Sequence, residues 1–161
     1  MSILENISNH KDLLQLDEDS RKILCKEIRN FLIENLSKTG GHVASNLGVV
    51  ELTVAIETVY DTAFDRLVFD VGHQSYVHKM LTGRQADFDH LRQFEGIAGF
   101  PKPKESNTDA FVAGPASSSV SIALCMARAR TMSGSAYHAA AVIGDSAQTC
   151  GLAFLTPHSS H

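Results

Sequence analysis

The sequence has no stretch approaching the ~20 consecutive apolar residues that a bilayer-spanning helix needs. Its start, Met1-Ser-Ile-Leu-Glu-Asn6, lacks the basic-then-apolar order of a secretory signal, so the expected location is the cytoplasm with no membrane partner. Cysteine is scarce. Cys25, Cys125 and Cys150 form no CxxC pair and have no histidine at zinc spacing, which excludes a disulfide framework and a structural zinc site and leaves them as small core residues. Basic charge is scarce too: 14 Lys and Arg lie scattered among 18 Asp and Glu, giving a net charge of −4 and no clustered cationic surface for nucleic acid. Internal repeats and low-complexity linkers are absent. What is there is a chain of 161 residues, 43% hydrophobic and 20% charged, a composition that excludes disorder, collagen-like and coiled-coil classes. A chain this long buries about 70% of the surface it exposes when unfolded, so it needs neither disulfide nor metal to fold. One domain with a small-molecule or protein partner is the expectation.

A helical first third gives way to a remainder punctuated by Gly and Ser. From Asp17 to Lys38 the apolar positions Leu24, Ile28, Phe31, Leu32 and Leu36 recur at helical spacing, with Asp17 or Asp19 as N-cap and Gly40 as the stop. A second helix is expected from about Leu47 to Tyr60 after a Ser45-Asn46 cap; its apolar residues fall on nearly all sides, the mark of a buried helix. Arg66–Val71, ending in Gly72-His73, and Ala139–Ile143, ending in Gly144-Asp145, read as buried parallel strands. Between them Ser117–Met132 reads as a helix whose Ser119, Ala123 and Ala127 permit close packing. This order indicates an α/β fold with a parallel sheet flanked by helices, whose ligands bind at the carboxyl ends of the strands.

Several residues carry chemistry at those ends. Gly40-Gly41-His42 is either a helix C-cap followed by a half-exposed imidazole or a turn that lets a ligand approach a proton-shuttling one. His73 lies at a strand tip, where such sheets bind ligands. His78 and His90 fall on polar, solvated helical stretches and receive no role. Asp145 has the character of a Mg²⁺ ligand, a hard carboxylate on a rigid element beside a glycine, or else of a helix N-cap. Gly114-Pro-Ala-Ser-Ser-Ser119 either presents N–H groups and hydroxyls to a diphosphate or merely caps the following helix, and Pro115 removes one donor.

Taken together, Lys38-Thr-Gly-Gly-His-Val-Ala-Ser-Asn-Leu-Gly-Val-Val-Glu-Leu-Thr53, Asp70-Val-Gly-His-Gln-Ser-Tyr76, His78-Lys79, Leu81-Thr-Gly-Arg84 and Gly99-Phe-Pro101 resemble the N-terminal domain of the 1-deoxy-D-xylulose-5-phosphate synthases. The resemblance runs from about residue 10 to about residue 154 and implies an incomplete transketolase-like, thiamine-diphosphate-binding fold. It also implies a homodimeric enzyme that joins pyruvate, after decarboxylation, to glyceraldehyde 3-phosphate, forming a precursor for isoprenoid, thiamine and pyridoxal synthesis. By this likeness His42 and His73 match active-site histidines that transfer protons and orient the bound intermediate, and Asp145 matches the Mg²⁺ ligand. His73, Gly114, Pro115, Ala116, Ser146 and Ala147 match positions that contact thiamine diphosphate.

Departures from the family pattern begin after Phe111. Gly114-Pro115-Ala116 stands where the family has Gly-His-Ser or Gly-His-Ala, and Gly144-Asp145-Ser146 stands where it has Gly-Asp-Gly. Gln148, Cys150 and Leu155-Thr-Pro-His158 also leave the pattern. The whole chain, residues 1–161, is therefore expected to form the first part of a diphosphate-binding domain, without the pyrimidine-binding and C-terminal domains. No turnover is expected from it alone. The alternative is a non-catalytic relic or interaction module that keeps the fold and binds no cofactor.

Overall fold

The computed structural model describes residues 2–112 and 114–149. Cys150 and the Leu155–His158 segment lie outside the described residues. The chain divides into two compact units, one formed by Met1–Asp61 with His73–Gly99 and the other by Thr62–Gly72 with Phe100–His161.

The first unit is helical. A short helix α1, His10–Leu14, opens with a reciprocal capping box between Asn9 and Asp12. The long helix α2, Glu18–Thr39, starts at Asp17, whose carboxylate accepts from the Ser20 N–H, and stops at Gly40, which takes φ +73°. Its Leu24, Cys25, Ile28, Leu32 and Leu36 face inward, the stripe that the helical spacing predicts. The single helix expected over 47–60 is instead two, α3 (Val43–Leu47) and α4 (Val50–Val59), broken at Gly48-Val49. At the end of α3 the Gly48 N–H donates to the Ala44 carbonyl at 3.0 Å and the Val49 N–H to the Asn46 carbonyl at 3.2 Å. Nor is α4 buried all round, because Leu52 and Val59 are 50% and 70% exposed while the polar Thr53 and Glu57 face inward. After the break in the sequence between units, α5 (Tyr76–Lys79) runs into a turn, Met80–Arg84, that reverses at Gly83 with φ +87°.

Every residue of α5 is buried, which corrects the reading of His78 as solvated. Its ring is 1% exposed, with Nδ1 2.5 Å from the Glu57 carboxylate of α4. The sequence around His78 concealed this, since what buries the ring is a partner 21 residues away rather than anything beside it. His90 is exposed, as expected. Leu13, Leu24, Ile28, Leu32, Val50, Val54, Tyr76, Val77, Met80 and Phe88 join in one core, with the Phe88 ring meeting Phe31 and Tyr76 edge-on at 5.6 and 6.1 Å.

The second unit is α/β. Strands β1 (Arg66–Phe69) and β2 (Ala139–Val142) pair in parallel, Arg66 opposite Ala139 and Phe69 opposite Val142, and helix α6 (Ser119–Ser133) packs on both. Parallel strands need a crossover, and α6 leads directly into β2. Among the described residues the sheet has these two strands. Cys25 is buried, but Cys125 on α6 is exposed, against the expectation of a core residue. Among the described residues no helix is long and apolar enough to cross a membrane.

At the tip of β1 the chain turns sharply. The Gly72 N–H donates to the Asp70 carbonyl at 2.6 Å, closing a three-residue turn around Val71 at φ +60°, a conformation a β-branched residue rarely takes. An added Cβ on Gly72, at φ +97°, would lie 2.7 Å from the Pro101 ring, so only glycine fits. The turn delivers the buried Asp70 carboxylate to the start of α6, where Oδ2 accepts from Ser117 N–H at 3.0 Å and Oδ1 from Ser119 N–H at 3.2 Å. The serine run thus does not cap α6 with its own hydroxyls. Ser118 at the cap position makes no such bond, and Asp70 neutralises the helix end from across the unit. Replacement Asp70→Asn, which presents an amide N–H to one of two donors, is expected to lower stability by about 1.5–3 kcal/mol. A urea-unfolding midpoint unchanged from wild type would refute this.

Candidate active site

In the first unit the two candidate histidines stand on separate segments. Past Gly40 the chain crosses over Tyr76: Gly41 takes φ +138°, and an added Cβ there would lie 3.0 Å from the Tyr76 hydroxyl and 3.2 Å from Leu36. A side chain at position 41 would push His42 away from its seat. His42 then leads into α3, and His73 precedes α5.

Asn46, fully buried on α3, joins them. Its Nδ2 donates to the His42 carbonyl at 2.6 Å and to the His73 carbonyl at 2.8 Å, and its Oδ1 accepts from the Tyr76 N–H at 2.8 Å. The expected role of Asn46 as the cap of the next helix is therefore corrected. Its side chain ties two loops instead, and it does so without exposing an unmatched amide group. With both carbonyls fixed, the His42 and His73 rings meet edge to face at 5.4 Å. Desolvation, then the charges of His73 and Arg92, pushes His42 below the ordinary imidazole range. At neutral pH His42 is thus a neutral imidazole beside a second one, suited to accept a proton and pass it on. Beneath them the buried Tyr76 phenol is pushed up by burial, partly offset by the His42 N–H and Arg92, and stays protonated. Arg92, at φ +63°, lays its side chain over Gly99.

The second unit holds the other candidates, on two loops. Gly114, Pro115 and Ala116 are exposed and precede α6. Gly144, Asp145 and Ser146 are exposed at the carboxyl end of β2, and a one-turn helix, Ser146–Thr149, follows. Asp145 Oδ1 accepts from the Ser146 N–H at 2.7 Å, a local cap that engages one carboxylate oxygen. The structure brings these loops together through Ser117, whose hydroxyl donates to the Ala147 carbonyl at 2.5 Å. Nearby the Ser119 hydroxyl is buried without a partner among the described residues. Added Cβ atoms at Gly114 and Gly144 would meet nothing within 4 Å, so the space beside both backbones is open. No three metal-binding side chains cluster among the described residues, which leaves Asp145 as a single hard ligand.

Three residues that organise these groups receive no role from the sequence, although Asn46 and Asp70 lie inside the motifs quoted above. Asn46 looks like a cap, Asp70 like the end of a strand and Ser117 like one serine in a run. Only for Asp70 was there a usable sign, an acid closing an otherwise apolar strand, because a carboxylate buried there needs donors.

A profile of the 1-deoxy-D-xylulose-5-phosphate synthases matches residues 4–157. The chain is 54% identical over 152 residues to the 1-deoxy-D-xylulose-5-phosphate synthase of Clostridium kluyveri, covering 94% of this chain and 24% of that one. It is 53% identical to that of Clostridium botulinum, with 94% and 25% covered. Against that of Natranaerobius thermophilus it is 52% identical over 160 residues, with 99% and 25% covered. The chain spans about a quarter of the length of the curated relatives it matches.

The histidine pair makes a pH prediction. Because the fold holds His42 below its unfolded value of 6.5, the unfolded chain takes up the proton first as pH falls. Its contribution to stability is intact above pH 6.5 and lost as pH falls below it. His42→Ala is expected to flatten that acid-side slope in denaturant titrations, and His73→Ala to raise the His42 pKa part of the way to its ordinary value in imidazole NMR titrations. An unmoved His42 resonance in His73→Ala would show that the two rings do not interact.

Proposed function

The chain belongs to the 1-deoxy-D-xylulose-5-phosphate synthase family, and from that premise we propose that it furnishes the cofactor-anchoring and proton-transferring part of a thiamine-diphosphate-dependent transferase. The proposed reaction joins pyruvate to glyceraldehyde 3-phosphate with loss of CO₂, giving 1-deoxy-D-xylulose 5-phosphate, in a cytoplasmic homodimer. The observation that carries the reading is the imidazole pair clamped on Asn46, because a reaction that makes and quenches carbanion character needs groups that deliver and remove protons at a fixed place.

The second unit fits the anchoring role. A buried Ser119 hydroxyl without a partner, open space beside Gly114 and Gly144, and an exposed Asp145 carboxylate suit a diphosphate with its metal. Mg²⁺ keeps one or two protein carboxylates and completes its shell with phosphate oxygens and water, so Asp145 is a sufficient protein ligand in this chain. The backbone N–H groups of Gly114 and Ala116 would bind phosphate oxygens, while those of Ser146 and Ala147 are already given to Asp145 Oδ1 and the Gly144 carbonyl. Thiamine diphosphate, when bound, supplies the carbanion-stabilising chemistry itself. His42, neutral at pH 7, takes up a proton, while His73 orients the reacting group and shares the charge.

A second reading has its own support. Two N–H groups at the start of α6 already serve Asp70, and Pro115 offers none, so this helix end has little left for an anion. On that reading the chain is a scaffold that binds partners and no cofactor.

Calorimetric titration of thiamine diphosphate into the chain separates the two. Binding that strengthens with Mg²⁺ and weakens in Asp145→Asn is expected; a cooperatively folded chain that binds nothing would establish the second reading. Pro115→His, which returns an N–H and an imidazole donor, is expected to tighten binding by about 10- to 100-fold.

A further inference from the structure

We infer that Ser117 is a positioning residue that locks the loops 114–118 and 145–148 into one surface before any ligand arrives. The lock rests on geometry alone; the identity of what that surface binds rests on the function proposed above.

Ser117 is wholly buried and is held at both ends of its polar inventory. Its N–H is bound by Asp70 at the tip of β1 and its hydroxyl by the Ala147 carbonyl, 30 residues away in sequence. The hydroxyls of the next two serines do nothing comparable: that of Ser118 donates locally to the Pro115 carbonyl, and that of Ser119 has no partner among the described residues. The turn that contains Ala147 is closed by its own bonds, Ala147 N–H to Gly144 and Gln148 N–H to Asp145. Those bonds shape the turn but cannot fix it against the loop before α6, and the Ser117 hydroxyl does.

Backbone strain points the same way. Ser117 sits at φ +70°, in the left-handed region that a side chain disfavours. A glycine would take that conformation at no steric cost, so the serine is explained by what its hydroxyl does there. Strain of this kind persists where surrounding contacts over-determine it, and Val71 at the facing strand tip carries the same feature. Holding Ser146, Ala147 and Asp145 at a fixed offset from Gly114 and Ala116 removes an ordering cost that binding would otherwise meet.

Two variants test the lock. Ser117→Ala deletes the hydroxyl and keeps the strain; Ser117→Gly deletes both, and so guards against misfolding. Backbone ¹⁵N order parameters in the full chain are the first readout. In both variants those of Ser146, Ala147 and Gln148 are expected to fall from about 0.85 toward 0.6 or below, with β1 and β2 unchanged. Affinity for thiamine diphosphate with Mg²⁺ is expected to fall about tenfold. Unchanged order parameters in Ser117→Gly would overturn the inference, as would a loosened turn with unchanged affinity in a chain that binds. Loss of cooperative folding in both variants would also overturn it, making Ser117 a requirement of the whole unit. If the wild-type chain binds no thiamine diphosphate, the proposed function falls, and the order parameters decide the lock by themselves.

Discussion

Everything around the histidine pair depends on one buried amide. Asn46 uses both of its N–H groups and its carbonyl on backbone partners from two segments, and its own side chain is fully buried, where water would not replace them. A hydrogen-bond inventory so completely used leaves no alternative arrangement of similar energy, because rotating the amide would orphan three groups at once. The consequence reaches outward through the backbone rather than through the imidazoles. Gly41 must pass over Tyr76 without a Cβ, α5 must begin at Tyr76, and the rings of His42 and His73 follow from where their carbonyls are pinned.

The second unit solves a related problem with charge. The parallel pair of strands brings the start of α6 beside the tip of β1, and a helix start there presents unpaired N–H groups. Asp70 supplies the anion. To do so from the end of a strand the backbone must reverse within three residues, and the positive φ of Val71 and the bare Gly72 are the cost of that reversal. Charge-assisted bonds exceed neutral ones in strength, and this is what lets a strained β-branched residue persist at the tip.

Much of this was legible in the sequence, and the division has a physical cause. Features set by local pattern were readable: the inward stripe of α2 from Leu24 to Leu36, its ends at Asp17 and Gly40, and the two strands with the helix between them. Pairs distant in sequence were not. His78 needed Glu57, 21 residues earlier, to be buried; Asn46 and Ser117 needed partners 27 and 30 residues away. The break at Gly48 was lost for a different reason, since an isolated glycine in an apolar run reads as tolerated when it in fact ends one helix and starts another. At the candidate site, motif likeness singled out His42, His73 and Asp145, and it ran through Asn46 and Asp70 without showing what they hold.

The Asp70 cap also bears on how an anion would be held. A phosphate at a helix start ordinarily gains from several free N–H groups and from the dipole of the helix. Here the carboxylate already neutralises that end of α6, and a second anion beside it would meet a like charge. On the proposed function, the described loops would offer two sources of attraction: the backbone N–H groups beside Gly114, and a cation held by Asp145. The first are neutral donors, each worth roughly 1 kcal/mol net. A divalent cation reverses the sign of the local field, which neutral donors cannot do. On the function proposed above, the electrostatics of this unit would place the weight of diphosphate binding on a metal, and would make the offset between Asp145 and the loop at Gly114 the distance that matters most.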